Sequence, residues 1–142
     1  KLRRELGKRL DDVLIFGGIE DVLKQLSKQG HTLYVVSSNS TLNIRRFLRK
    51  NKISKYFSGV HGNVGIFGKT NVLRTIIRKY HLNPAECFSI GDETRDIEAA
   101  KKLKITSVAA GWGYNGEKIL REHRPDFFAA KPKEIITIIA SP

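Results

Sequence analysis

The sequence has a single cysteine, Cys87, among its 142 residues, so an internal disulfide is excluded. Because Cys87 precedes an apolar run, we expect a buried structural thiol rather than a nucleophile. No stretch approaches the ~18 consecutive apolar residues of a membrane span, and no signal-peptide pattern opens the sequence. With an ordinary hydrophobic content of 40%, these absences predict one globular domain, a cytoplasmic setting and no membrane partner.

Acidic residues are also scarce. Lys and Arg together number 26 against 14 Asp and Glu, which gives a formal net charge of +12. An excess of this sign suits nucleic acid or another polyanion, and it would also attract a phosphorylated substrate. The basic residues are spread along predicted helices and are not gathered with aromatic residues into one motif. We therefore expect mostly solvated helix faces and rank nucleic acid below a small phosphorylated metabolite as partner.

Several catalytic signatures are missing. The sequence has no GxSxG elbow and no Cys/His nucleophile motif. The histidines at positions 31, 61, 81 and 123 have no metal-ligand spacing, so we interpret them as surface or packing residues. The stretch 62–70, GNVGIFGKT, differs from a P-loop by one extra residue. A nucleotide hydrolase would need ATP or GTP binding as independent support.

Strand and helix patterns alternate along the chain. Apolar residues recur at helical spacing in the segment 19–29, and the run from Thr32 to Val36 predicts a strand buried on both faces. Later strands are expected near 57–60, 87–90, 105–109 and 127–128. A helix is expected after residue 40, with an apolar side marked by Leu42, Ile44, Phe47 and Leu48. Further helices are expected over 69–80, 97–103 and 117–122, and from Pro132 onward. This alternation predicts an α/β fold with a parallel sheet and helices on both faces.

The central motif of the chain is Phe88-Ser89-Ile90-Gly91-Asp92-Glu93-Thr94-Arg95-Asp96. Asp92 follows an apolar strand, and Asp96 falls in the first turn of the next helix. Two carboxylates at the carboxyl end of a strand suit a hard cation such as Mg²⁺, held together with substrate phosphate. The alternative is structural, because Thr94 is a good N-cap and an acid in the first turn is favoured by the helix dipole.

Two further features fall at predicted strand ends or helix starts. Ser37, Ser38 and Asn39 end a strand, where hydroxyl, amide and main-chain N–H groups could hold phosphate oxygens. They could equally cap the following helix. Lys69 opens a helix, which is the unfavourable end for a cation, so an anionic partner would explain it. A hydroxyl, a lysine and paired carboxylates together form a set suited to phosphoryl transfer.

The order Ser37, Lys69 and Gly91-Asp92-x-x-x-Asp96 resembles motifs two, three and four of the haloacid-dehalogenase-like (HAD) hydrolases. Phe16-x-Gly18-Ile19 and Gly111-Trp112-Gly113-Tyr114 resemble the phosphoglycolate-phosphatase-like branch. The resemblance implies a Rossmann-like three-layer sandwich and a Mg²⁺-dependent phosphatase that forms an aspartyl-phosphate intermediate. It also implies that Ser37 binds the phosphoryl group and that Lys69 neutralises it. Asp92 would bind Mg²⁺, and Asp96 would support the metal site through water or Lys69.

One part of the family pattern is absent. The first motif, DxDx[TV], supplies the nucleophilic Asp, and the nearest stretch, 13–19, has glycine at that place. We therefore expect residues 1–15 to be the end of a helical cap region and residues 16–142 to be the C-terminal part of the core. This portion would lack the N-terminal central strand and most of the cap. The alternatives are a catalytically inactive HAD-like binding module and a basic nucleic-acid-binding domain.

Overall fold

The computed structural model describes residues 17–65 and 68–140. The chain divides into two compact units with the boundary at residues 66–67, and each unit has its own parallel sheet. The cap segment predicted for residues 1–15 lies outside the described residues, as does Phe16, the first residue predicted for the core. The division into a cap end and a core therefore stays a prediction.

The described part of the first unit, residues 17–65, contains two helices and two strands. In chain order they are α1 (Ile19–Lys28), β1 (Leu33–Val36), α2 (Thr41–Lys50) and β2 (Phe57–His61), with a 3-10 turn at Ser54–Tyr56. The strands β1 and β2 run parallel. The apolar positions predicted for α1 are all buried, namely Ile19, Val22, Leu23 and Leu26.

Two details of this unit differ from the prediction. In β1 only Val35 is buried and its neighbours are half-buried. Among the described residues β1 pairs with β2 alone, so it has an unpaired edge. In α2, Ile44 and Leu48 are 0% and 1% exposed, whereas Leu42 is 58% exposed. Leu42 is two residues from Ile44 and therefore about 200° around the helix, on the side away from the core.

In the second unit, residues 68–140 contain four helices and three strands. They are α3 (Lys69–Lys79), β3 (Phe88–Gly91), α4 (Thr94–Leu103), β4 (Thr106–Ala110), α5 (Glu117–Glu122), β5 (Phe127–Ala129) and α6 (Glu134–Ala140), with a 3-10 turn at Pro84–Glu86. The sheet has the order β3-β4-β5, and both pairings are parallel. Ile97, Ala109 and Leu120 form the buried core over which Phe128 packs.

The α/β class and the parallel strands predicted from the sequence are confirmed. The described strands form a two-stranded and a three-stranded sheet rather than one continuous sheet. A continuous sheet would have contradicted the assignment of a missing central strand. Cys87 is less buried than the sequence predicted. Its free thiol is half-buried just before β3, and Sγ lies 3.3 Å from the carbonyl oxygen of Asn83.

Candidate active site

The candidate site of the second unit lies at the carboxyl ends of β3 and β4. These strands are parallel neighbours, with Gly91 in register with Ala109. The loop that follows each strand therefore begins at the same edge of the sheet. Asp92 is the first residue after β3, and residues 111–116 form the loop after β4.

The loop after β4 holds Asp92 by its main chain. The N–H of Tyr114 donates to Oδ2 of Asp92 at 2.8 Å. The N–H of Asn115 donates to the carbonyl oxygen of Asp92 at 3.0 Å, while Oδ1 of Asn115 accepts from the N–H of Thr94 at 3.2 Å. Asn115 thus bridges the Asp92 main chain and the first turn of α4.

The approach between this loop and Asp92 is close enough to require glycine. A Cβ on Gly113 would overlap the Asp92 side chain. Any residue other than glycine at position 113 would therefore displace the Asp92 side chain. The loop therefore fixes where the Asp92 carboxylate lies.

Asp96 is fixed from two sides. Its Oδ1 forms an ion pair with Nζ of Lys69, which opens α3, and its Oδ2 accepts from the N–H of Glu93 at 3.0 Å. The second contact belongs to a capping box whose N-cap is Glu93, so Thr94 is not the cap that the sequence suggested. Asp96 is buried, and Gly91 leaves its carboxylate room that a Cβ would fill.

Asp92 is largely removed from solvent and has two other carboxylates nearby. Burial raises the pKa of the Asp92 carboxyl, and the nearby carboxylates of Asp96 and Glu93 raise it further, while the N–H of Tyr114 acts in the opposite direction. The charged form of Asp92 is therefore less favoured than that of a solvent-exposed Asp, and nearby positive charge would favour it. A phosphate-bound divalent cation would bring such charge.

The chemistry of this site fits a magnesium ion in part. A carboxylate has about four lone-pair positions, and Tyr114 occupies one on Asp92, so Asp92 keeps capacity for a metal. Both oxygens of Asp96 are already engaged, which suits support from the second coordination sphere. Within the described ranges, no group of three or more His, Cys, Asp or Glu side chains converges. The remaining ligands would have to be substrate oxygens, water or other residues.

Ser37, Ser38 and Asn39 lie in the loop between β1 and α2 of the first unit. Oγ of Ser37 accepts from the N–H of Asn39 at 3.1 Å. The Ser37 main chain is bound on both sides, since its N–H donates to His61 and its carbonyl accepts from Val64. This loop is therefore ordered by main-chain contacts with the end of β2 and the residues after it.

The helix-capping alternative for this loop falls on a different residue. The N-cap of α2 is Ser40, whose hydroxyl accepts from the N–H of Asn43 at 3.1 Å. Asn39 is 3% exposed, and its Oδ1 accepts from the N–H of Ser40 at 2.8 Å. Asn39 thus has a local role in starting the helix, and Ser37 and Ser38 do not cap α2.

Of the site residues predicted from the sequence, the structure brings Lys69 and Asp96 into contact and places Asp96 near Asp92. The predicted residues Ser37, Ser38 and Asn39 belong to the first unit. Sequence reasoning missed Gly113 and Asn115 as supports of Asp92, although it noted the Gly111–Tyr114 stretch. The signal was available, because consecutive parallel strands carry their following loops to one sheet edge.

Known proteins supply the comparison that decides the family. The sequence model described as "Haloacid dehalogenase-like hydrolase" matches residues 1–110. The chain belongs to this family. A phosphoglycolate phosphatase of Synechococcus elongatus is 32% identical over 139 residues, covering 98% of this chain and 66% of the relative. A 5′-nucleotidase of Pseudomonas aeruginosa is 28% identical, covering 82% of this chain and 54% of the relative.

Solved structures of the haloacid dehalogenase-like family agree with this placement. A family hydrolase from Streptococcus pneumoniae superposes with a TM-score of 0.78 at 26% identity, covering 87% of this chain and 59% of the other. A predicted phosphoglycolate phosphatase from Haemophilus somnus gives 0.80 at 25% identity, covering 87% and 56%. The resemblance to the superfamily and to its phosphoglycolate-phosphatase-like branch is confirmed. The chain spans between about half and two thirds of the length of these relatives.

Helices of the described part are too short or too polar to cross a membrane.

Proposed function

We propose that the protein carrying this chain is a Mg²⁺-dependent phosphatase of the haloacid dehalogenase-like family, acting in the cytoplasm on a small phosphate monoester. The observation that supports it most is the arrangement of Asp92, Asp96 and Lys69. Two fixed carboxylates and a lysine stand at the carboxyl edge of a parallel sheet. Relatives named phosphoglycolate phosphatase and 5′-nucleotidase act, by those names, on phosphate esters.

Each residue has a proposed role. Asp92 would hold Mg²⁺, and Asp96 would orient Lys69 and the metal's water shell. Lys69 would neutralise the phosphoryl group, and Ser37 would donate its hydroxyl hydrogen to a phosphoryl oxygen. Ser38 and Asn39 would complete the phosphate-binding loop. Mg²⁺, when bound, supplies positive charge toward the phosphoryl oxygens.

The reaction proceeds through an aspartyl-phosphate intermediate in this proposal. A carboxylate oxygen of the DxDx[TV] motif would bond to phosphorus while the ester P–O bond breaks. The leaving alcohol oxygen would take a proton from the second Asp of that motif, which regains a proton from the water that attacks in the next step. Water then attacks phosphorus and releases inorganic phosphate, which restores the carboxylate. This sequence does not contain that motif. Its own residues therefore supply charge neutralisation and positioning rather than the nucleophile.

The test is hydrolysis of p-nitrophenyl phosphate by the complete gene product, with and without Mg²⁺. We expect Asp92→Asn to lower kcat/KM by about 10²-fold or more, because the negative charge of the proposed Mg²⁺ ligand is lost. Asp126→Asn is the matched control, because Asp126 lies outside the site and Asn keeps an acceptor oxygen for its contacts. Full activity without Mg²⁺, or an Asp92→Asn variant as active as the control, would contradict the proposal.

The second candidate function is the catalytically inactive binding module that the sequence analysis left open. The domain could hold a phosphorylated ligand in the same loops without turning it over. Binding of orthophosphate by the complete gene product, combined with no hydrolysis in the assay above, would favour the binding-module hypothesis.

A further inference from the structure

A strongly basic surface lies on α2 and the turn after it. The sequence has no Asp or Glu between Asp21 and Glu86. Within that interval α2 and its following turn carry exposed cations at Arg45, Arg46, Arg49, Lys50, Lys52 and Lys55. We call these residues the basic face. Among the described residues, none of them forms an ion pair, and Lys55 lies over the ring of Tyr56 at 5.3 Å.

The orientation of the basic face is set by the core. Ile44 and Leu48 are buried on the opposite side of α2, so the charged side chains are directed outward from a fixed helix. Arg45 and Arg49 are one turn apart, about 6 Å along the axis, as are Arg46 and Lys50. The helix dipole accounts for the last-turn cations Arg49 and Lys50. It does not account for Arg45 and Arg46 in mid-helix or for Lys52 and Lys55 beyond it.

We propose that the basic face binds the phosphate backbone of nucleic acid without sequence preference. A duplex carries one negative charge per about 1.7 Å of axis, and six exposed cations in a stretch of sequence that has no Asp or Glu complement that density. Arginine adds a planar fork that matches phosphate oxygens. This goes beyond the proposed phosphatase activity, because none of these residues belongs to the phosphoryl site.

The surroundings of the basic face favour nucleic acid over other anionic partners. A helix that binds membranes needs a free apolar side, and the apolar side of α2 is already buried. An acidic protein would be expected to meet aromatic or apolar residues at the centre of its interface. Leu42 is the one large apolar side chain of α2 that is exposed. A polar, cationic face of this kind is typical of backbone contacts with nucleic acid.

The test measures binding of the complete gene product to a fluorescein-labelled 20-base-pair duplex by anisotropy at several salt concentrations. Log K should fall linearly with log salt, with a slope of about −0.9 per neutralised phosphate. In the variant Arg45→Gln, Arg46→Gln, Arg49→Gln, Lys50→Gln, we expect the slope to become less negative by about 3 to 4 units. The control replaces Lys102, Lys118, Lys131 and Lys133 by Gln. It removes equal charge from exposed positions of the second unit and should keep the original slope.

Glutamine is a good helix former, so α2 should persist in the variant, which circular dichroism and thermal melting can check. If the fourfold variant does not fold, the double variant Lys52→Gln, Lys55→Gln, which lies outside the helix, should still make the slope less negative by about 2 units. Equal losses in test and control variants would overturn the proposal, because diffuse net charge would then explain binding. Stronger binding to vesicles of anionic phospholipid than to the duplex, or no duplex binding, would overturn it as well.

Discussion

At Gly113 a hydrogen atom occupies the place where any other residue would push a carbon into Asp92. The position of Asp92 is therefore decided partly by a residue 21 positions later in the sequence. The main-chain N–H groups of Tyr114 and Asn115 complete the same support. Residues that position a metal-binding carboxylate contribute to metal affinity without contacting the metal.

Gly113→Ala should accordingly weaken the apparent affinity for Mg²⁺ by about 10- to 100-fold, because the added methyl group displaces Asp92. The measurement is phosphatase activity as a function of Mg²⁺ concentration. Gly116→Ala is the control, because no atom lies within 4 Å of the Cβ position at Gly116. Unchanged Mg²⁺ activation in Gly113→Ala would show that Asp92 does not depend on the loop.

The thiol of Cys87 provides a prediction that is independent of function. Burial raises the pKa of this thiol, and the carboxylate of Glu86 raises it further. The reactive thiolate should therefore be scarce at neutral pH, and alkylation by iodoacetamide should accelerate only above the ordinary thiol pKa of ~8.5. Glu86→Gln should speed alkylation at pH 8. Fast alkylation of the parent protein at pH 7 would contradict the assignment.

At the scale of secondary structure, β4 and β5 are joined by their main-chain ladder and also by hydrogen bonds between Ser107 and Asp126, which we call the clasp. The buried Ser107 donates its N–H to Oδ2 of Asp126 at 2.8 Å, and the N–H of Asp126 donates to Oγ of Ser107 at 2.9 Å. Ser107 is near the start of β4, and Asp126 immediately precedes β5. The clasp therefore sets where β5 begins.

Asp126→Ala should lower the free energy of unfolding by about 1–3 kcal/mol, because it leaves the buried N–H of Ser107 without an acceptor. Urea denaturation followed by circular dichroism measures this difference. Asp126→Asn keeps a side-chain acceptor oxygen and should cost less. Equal losses in the two variants would mean that the clasp does not carry the effect.

At the scale of the whole molecule, the proposed phosphate-binding residues are distributed over both units. Ser37 belongs to the first unit, and Lys69 belongs to the second. The proposed function gives each of them a contact with phosphate. A bound ligand of this kind should stabilise every segment that contacts it.

Orthophosphate with Mg²⁺ should therefore slow hydrogen exchange in two segments of the complete gene product, near residues 37–41 and near residues 92–96. In Ser37→Ala the protection of the first segment should be lost, since its hydroxyl contact is removed. Mass spectrometry of peptides measures both. Protection confined to residues 92–96 in the parent protein would remove Ser37 from the proposed site.

Local sequence patterns were sufficient for most elements of the fold. Helical spacing located α1, the β-branched run located β1, and the single glycine before Asp92, Gly91, located the end of β3. These signals work because the period of apolar residues follows directly from helix and strand geometry. Burial was less predictable. Leu42 and the neighbours of Val35 are more exposed than expected, because burial depends on which surfaces other elements cover.

The sequence by itself determined the family, the α/β class and the residue types of the candidate site, since motif spacing is a local property of the chain. Only the tertiary structure decided that Lys69 pairs with Asp96 and that Asn115 supports the turn after Asp92. It also decided that Ser40, rather than Ser37 or Ser38, caps α2. The physical reason is that the first two contacts join residues far apart in sequence. The third depends on the backbone dihedral angles at which the strand stops and the helix starts.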